Sequence, residues 1–230
     1  MGETILHIIV WSVVTIGLYA LVKNLYRRWP RWWLSPLGMT PVLIGLVVIA
    51  VQSSYASYIQ GTHWLLTLLG PATVAFAIPL YEQRALIRRY WPVLLIGMLV
   101  GSATATLSSW ALASIVGLNE TLRLSLMPRS MSTPFAMIVS QDIGGAPDLT
   151  AVFVAITGIG GAVIGDVLLA RSSYGSPMAR GALFGMAAHG AGTAQAHRFG
   201  RTEGAIAGLV MVLVGVMNVL FLPLLFHLLG

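Results

Sequence analysis

Eight stretches of this chain, at about residues 5–22, 39–58, 63–81, 91–116, 122–141, 149–170, 178–197 and 204–229, run almost without charged side chains. A helix needs roughly 20 apolar residues to cross about 30 Å of hydrocarbon, and each stretch is close to that length. Only 9% of the residues are charged and 57% are hydrophobic, whereas a soluble domain must present about a quarter charged residues to water. The chain therefore reads as an all-α transmembrane protein of about eight helices, in the cell (inner) membrane. Within its 230 residues no room is left for an extramembrane domain.

The formal net charge of +6 and pI near 10.2 would suggest nucleic acid in a soluble protein. Here the basic residues cluster at the ends of apolar runs, so they read as topology signals, and nucleic acid is not an expected partner. Glu3 precedes the first run, and Lys23, Arg27, Arg28 and Arg31 follow it, the order of an uncleaved helix running from outside to inside. Arg84, Arg88 and Arg89 follow the third run, and both termini are then expected outside the cytoplasm. Trp29, Trp32 and Trp33 suit the headgroup interface. Simple alternation puts Arg198 and Arg201 inside, and Arg123, Arg171 and Arg180 outside. A re-entrant hairpin at segment five exchanges Arg171 and Arg180 with Arg198 and Arg201 at the same balance, so charge leaves the second half open. Cysteine is absent, which excludes a disulfide framework, a thiolate metal site and a cysteine nucleophile. No HExxH, Walker A or hydrolase elbow occurs, so neither enzyme activity nor a cofactor or metal is expected.

An internal repeat organises the middle of the chain. Met39-Thr40-Pro41 pairs with Ser132-Thr133-Pro134, Gly70 with Gly158, and Gly97-Met98 with Gly185-Met186, at an offset near 90 residues. A unit of three spans is odd, so its second copy enters from the opposite side, the inverted-repeat plan of many secondary transporters. The chain then divides into an N-terminal helix with a basic, Trp-rich cytoplasmic loop (1–35), repeat A (36–117), repeat B (122–200) and a C-terminal helix (204–229). A rival pairing, Gly70-Pro71-Ala72-Thr73 with Gly190-Ala191-Gly192-Thr193, covers one segment only.

The candidate site residues are the polar exceptions inside these runs. Segment five carries Pro128, Arg129, Ser130, Ser132, Thr133 and Pro134. Two prolines free backbone carbonyls, which must find partners in protein or a water-filled cavity. A guanidinium inside a span costs roughly 3 kcal/mol on insertion scales, so it faces the interior and grips an anion, or it snorkels to the outer interface. The first reading makes Arg129, with Ser130, Ser132 and Thr133, part of a carboxylate site. Segment seven places His189, Gly190, Gly192, Thr193 and Gln195 together, and a break at Gly190 or Gly192 would turn backbone groups into a cavity. His189 either titrates and donates to substrate or makes a packing hydrogen bond. Segment six adds Thr157 and Asp166, the latter a partner for Arg129 or a coupling proton, or else an outer-interface residue. In segment three, Gly70-Pro71-Ala72-Thr73 marks either two half-helices that bring Pro71 and Thr73 to the site or a packing kink.

Along these same stretches the sequence resembles the LrgB family, which includes LrgB, CidB and the C-terminal half of the plant plastidial glycolate/glycerate transporter. The likeness runs through Leu69-Gly70-Pro71-Ala72-Thr73-Val74-Ala75, Pro79-Leu80-Tyr81, Pro128-Arg129-Ser130, Ser132-Thr133-Pro134 and Ala136-Met137. It continues through Gly144-Gly145, Leu149 to Phe153, Ala179-Arg180-Gly181, Gly185 to Ala196 and Glu203-Gly204-Ala205. Arg129 stands where the family commonly has Lys, and Gln195 where it commonly has Arg. The resemblance implies export of small carboxylates such as pyruvate or glycolate, or a holin/antiholin-like control of murein hydrolase export beside an LrgA/CidA-type small membrane protein. Membrane lipid, a small organic anion, that small partner and further copies of the chain are the partners these readings name. Arg129 within an inverted repeat suits movement of a small anion by alternating access better than movement of a folded hydrolase.

Overall fold

Without water to satisfy backbone groups, a chain in hydrocarbon must pair its N–H and C=O groups within each segment, which makes helices the economical solution. The computed structural model describes residues 2–171 and 176–229, and among the described residues there is no strand. Ile5–Arg28, Tyr55–Glu82, Arg84–Ile115, Pro147–Ala170 and Arg201–Leu228 are each long and apolar enough to cross a membrane. The protein is a multi-pass, all-α membrane protein. Of the residues used for topology, the side chains of Glu3 and Arg171 lie outside the described residues.

The chain divides into two units, Met1–Ala72 and Thr73–Gly230. In the first, α1 (Gly2–Arg28) is followed by a short 3-10 turn (Trp32–Leu34), α2 (Pro36–Ala50) and α3 (Tyr55–Thr67). Gly61 lets α3 approach α1, since a Cβ there would lie 2.8 Å from Trp11 Cδ1. Trp64 Nε1 donates to Ser12 Oγ at 2.7 Å, and the His7 ring meets the Ser57 carbonyl at 2.9 Å. Such small-residue contacts and interhelical hydrogen bonds replace the hydrophobic drive that lipid does not supply.

Of the two readings of the Gly-Pro segment, half-helices or a packing kink, the second fits better: single turn residues at Leu68 and Phe76 interrupt the 28-residue apolar run Tyr55–Glu82, and neither is the proline. α3 ends at Thr67, α4 covers Leu69–Ala75, and α5 covers Ala77–Glu82. Pro71 falls in the first turn of α4, where an N–H has no intrahelical partner to lose. The expected repeat A runs across the boundary between the two units.

In the second unit α6 (Arg84–Ile115) bends at Tyr90 (φ −117°, ψ 15°), just before Pro92, the usual site for a proline-induced kink. Segment five is re-entrant. α7 (Glu120–Leu126) passes into turns that reach Met131, and α8 (Thr133–Asp142) returns. The return is fixed by contacts at its base: Ala146 N donates to Ser125 Oγ at 2.8 Å, and the Thr150 hydroxyl reaches the Ser125 carbonyl at 3.0 Å and Ser140 Oγ at 2.7 Å. Pro134 sits in the first turn of α8 and Pro128 in the turns before it, so neither interrupts a helix ladder.

α9 (Pro147–Arg171) then crosses, and α10 (Pro177–Phe199) folds back on itself at His189 (φ 37°, ψ −118°). A straight helix would carry Phe199 about 22 Å beyond Phe184; their ring centroids lie 5.6 Å apart. Gly192 packs against the Phe184 carbonyl. Segment seven is thus a hairpin and not a crossing, and Arg180 and Arg198 share one end of the unit. That corrects the simple alternation, which put them on opposite sides. The cause is compositional. With Gly190, Gly192 and several alanines the returning arm has little bulk, so the two arms pack face to face under neighbouring helices.

α9 runs antiparallel to the first arm of α10. Gly158 faces His189, Gly161 the Ala187 carbonyl, and Gly165 the Phe184 ring. α11 (Arg201–Leu229) runs parallel to the same arm, with Gly181 against Ile206 and Gly185 against Ala207. A crossing helix followed by a re-entrant hairpin (α6, then α7 and α8) is thus repeated in the opposite direction by α9 and α10. This inverted unit is shorter than the three-span repeat read from the sequence.

Candidate functional site

The two hairpin tips meet beside the middle of α9. The Arg129 Nε donates to Ser109 Oγ on α6 at 2.7 Å, and one Nη reaches Thr157 Oγ1 on α9 at 3.4 Å. Thr157 lies near the midpoint of its helix, Pro147–Arg171. Arg129 is half-buried and reaches neighbouring helices at the level of the middle of α9. Its partners are hydroxyls, which orient a guanidinium without neutralising it. Among the described residues neither partner is a carboxylate.

His189 comes in from the opposite hairpin. Its ring faces the main chain of Arg129, and it is 3% exposed. Gly158 makes the room, because a Cβ there would lie 2.7 Å from His189 Cε1. His189 Nε2 is buried without a hydrogen-bond partner among the described residues. A buried donor or acceptor left unpaired costs about 1–3 kcal/mol, so a polar group that met this nitrogen would be favoured. Ser130 and Ser132 are buried in the same hairpin tip, and Thr133 opens α8. The Thr193 hydroxyl donates to the His189 carbonyl at 2.9 Å and touches Met211 Sδ at 3.9 Å. Gly190 is open: a Cβ there would meet nothing within 4 Å, whereas Gly192 is closed by backbone. The break expected at Gly190 or Gly192 falls on His189.

His189 is held in a backbone conformation that a side chain disfavours. His189→Gly is expected to melt at a higher temperature than His189→Ala, because only glycine is unstrained at φ 37°. Thermal unfolding of the two purified variants checks this, and equal melting temperatures would show that the turn is not under strain.

The remaining sequence-based candidates lie elsewhere. Asp166 does not pair with Arg129. Gln195 Nε2 donates to its Oδ2, and Gln195 Oε1 accepts from Arg198 at 3.2 Å. Asp166 is two helical turns from Gly158, about 12 Å along α9, so it and Gln195 form a separate cluster. Pro71 belongs to the first unit and is exposed there, while Thr73 is in the second. Ser109 went unread in the sequence. Its only signal was a hydroxyl in an apolar span, shared by Ser102 and Thr106.

The arrangement can hold a small anion with a guanidinium fork oriented by two hydroxyls and with buried serines; the His189 Nε2 donates to it only when the ring carries a second proton, because Nδ1 faces the Arg129 main chain. Comparisons with known proteins bear on what that anion is for. The model of the LrgB-like family matches residues 15–228. The chain is 41% identical over 218 residues to YwbG of Bacillus subtilis, covering 94% of this chain and 96% of that protein. It is 28% identical over 220 residues to the holin-like protein CidB of Staphylococcus epidermidis, covering 96% of each. It is 29% identical over 219 residues to the antiholin-like protein LrgB of Bacillus subtilis, covering 95% of each. No solved structure matches the chain.

Proposed function

The chain belongs to the LrgB-like family, and from that premise we propose that it carries small carboxylates, pyruvate or glycolate among them, across the cell (inner) membrane by alternating access. The observation that carries this is the Arg129 guanidinium beside mid-α9 with, among the described residues, hydroxyl partners, next to a His189 Nε2 that has no partner among them. A charge in hydrocarbon is tolerated when it serves a pathway, and an arginine fork matches a carboxylate. Ser130, Ser132 and Thr133 from one hairpin and Thr193 with the open Gly190 from the other complete the substrate site. Two hairpins entering from opposite faces support alternate opening, because each tip seals the site from one side only. His189 is the coupling group.

Purified protein in proteoliposomes is expected to accumulate labelled pyruvate, glycolate or lactate. Failure to move any small monocarboxylate while correctly folded would remove the carrier reading. The names of the relatives support a second one, a non-transporting holin- or antiholin-like component. In that case the chain acts with copies of itself or with an LrgA/CidA-type small membrane protein in controlling murein hydrolase export, and transport by the isolated chain is absent.

Arg84, Arg88 and Arg89 open α6 at the end of the unit that also bears Arg180, Arg198 and Arg201, with Arg123 at the other end. The positive-inside rule makes the first end cytoplasmic and leaves the C-terminus outside, and the N-terminal charges put that terminus outside too. Since the chain has no cysteine, single cysteines report topology cleanly. Pro177→Cys and Thr202→Cys are expected to label from the cytoplasm, and Asn119→Cys from outside. Labelling of positions 177 and 202 from opposite faces would overturn the hairpin at segment seven.

A further inference from the structure

We propose that a cavity between α9 and the two arms of α10 binds the head group of an ammonium-bearing phospholipid. The cavity has a volume of about 470 Å³ and is lined by Asp166, Leu169, Arg180, Gln195, Arg198 and Phe199. Its place in the fold is the first evidence. Arg198 and Phe199 end α10, Arg180 is in its first turn, and Asp166 is in the last turns of α9, so the cavity opens where those helices leave the hydrocarbon. It is two turns of α9 away from the Arg129 site, about 12 Å.

Its chemistry is the second. Gln195 donates to Asp166 Oδ2 and accepts from Arg198 Nη1 at 3.2 Å, so one amide ties the carboxylate to the guanidinium. Asp166 Oδ1 is buried and has no hydrogen-bond partner among the described residues. A carboxylate oxygen so placed calls for a charged donor, because a charge-assisted hydrogen bond offsets its lost hydration. Arg180 and Arg198 line the same space, and planar guanidinium groups match phosphate oxygens. The ligand that satisfies both halves is a phosphodiester with an ammonium a few bonds away. A free anion leaves Asp166 Oδ1 unsatisfied, and a head group without an amine offers it no cation.

The apolar surroundings are the third. Leu169 and Phe199 line the cavity, and Phe199 is 43% exposed. Acyl chains attached to a head group seated there would meet these two apolar side chains first.

Ethanolamine and choline phospholipids of the same acyl chains separate the possibilities, because trimethylammonium keeps the charge but cannot donate a hydrogen bond. The purified full chain in detergent is titrated with each lipid, and bound lipid is counted by mass spectrometry of the intact complex. Wild type is expected to retain the ethanolamine lipid roughly tenfold better than the choline lipid, the difference of one charge-assisted hydrogen bond. Asp166→Asn keeps the size of the side chain and is expected to lose that preference with an unchanged melting temperature. Arg198→Ala is expected to weaken both lipids alike.

Equal retention of the two lipids by wild type overturns the proposal, as does a preference that survives Asp166→Asn. Equally strong retention of a phosphatidylglycerol would show that the ammonium is not read. Displacement of bound lipid by equimolar soluble phosphoethanolamine or inorganic phosphate would identify a soluble anion as the occupant. Should Asp166→Asn fold poorly, the ethanolamine-to-choline ratio in wild type still decides.

Discussion

Arg129→Ala is expected to lower carboxylate uptake into proteoliposomes by about a hundredfold, the scale of losing one partner of a buried, hydrogen-bonded charge pair. The variant should nevertheless fold. Arg129 donates to two hydroxyls, Ser109 and Thr157, and these can turn to other acceptors within their own helices when the guanidinium is gone. Removing a cation from mid-membrane also removes a cost of roughly 3 kcal/mol on insertion scales. Melting temperature should therefore hold or rise while uptake collapses, a combination that separates a binding role from a structural one. Arg129→Lys keeps the charge without the planar fork, and a loss of about tenfold is expected. Unchanged uptake in Arg129→Ala would show that the hairpin tips are not where the anion is held.

The second large effect concerns the seating of the hairpin. Gly185 in the first arm of α10 lies against Ala207 of α11, where an added Cβ would press on the Ala207 carbonyl and lie 3.0 Å from its Cα. The obstructing atoms are backbone, so no rotamer change relieves them; α10 and α11 must separate. Gly185→Val is expected to destabilise the protein by about 3 kcal/mol, at the upper end of overpacking costs, seen as loss of the monodisperse peak in size-exclusion chromatography. Gly160→Ala is the control, since a Cβ there meets nothing within 4 Å, and it should behave as wild type. If Gly185→Val elutes and melts like wild type, the arm is not packed on α11 as described.

Much of this site was readable before any coordinates. Pro128 and Pro134 cannot continue a helix ladder, so a break in segment five followed from chemistry, and Arg129 inside the broken stretch marked the place where charge had to be accommodated. Gly158, Gly161 and Gly165 are the positions on α9 that admit the hairpin, a use of segment six that was not read from the sequence. His189 was named beside a predicted break and turned out to be the break itself. Ser109 was not distinguishable from its neighbours, because a hydroxyl in a span bonds its own helix carbonyl as readily as a ligand; it reaches the Ala105 carbonyl at 2.7 Å as well as Arg129.

The sequence by itself decided the solvent, the helical class and the run lengths through its hydrophobicity, and through Pro128 and Pro134 that no continuous helix runs along segment five. Each of those is a local property: a backbone in hydrocarbon pairs within its own segment, and proline lacks the donor wherever it stands. Only the tertiary structure decided that segment seven reverses instead of crossing, and hence that Arg180 joins Arg198 and that Asp166 and Gln195 leave the Arg129 site to form one of their own. A stretch of glycine and alanine fits a kink or a full reversal equally well, because small side chains impose no local preference. The choice falls to what packs around it, here the glycine face of α9 and the backbone of α11.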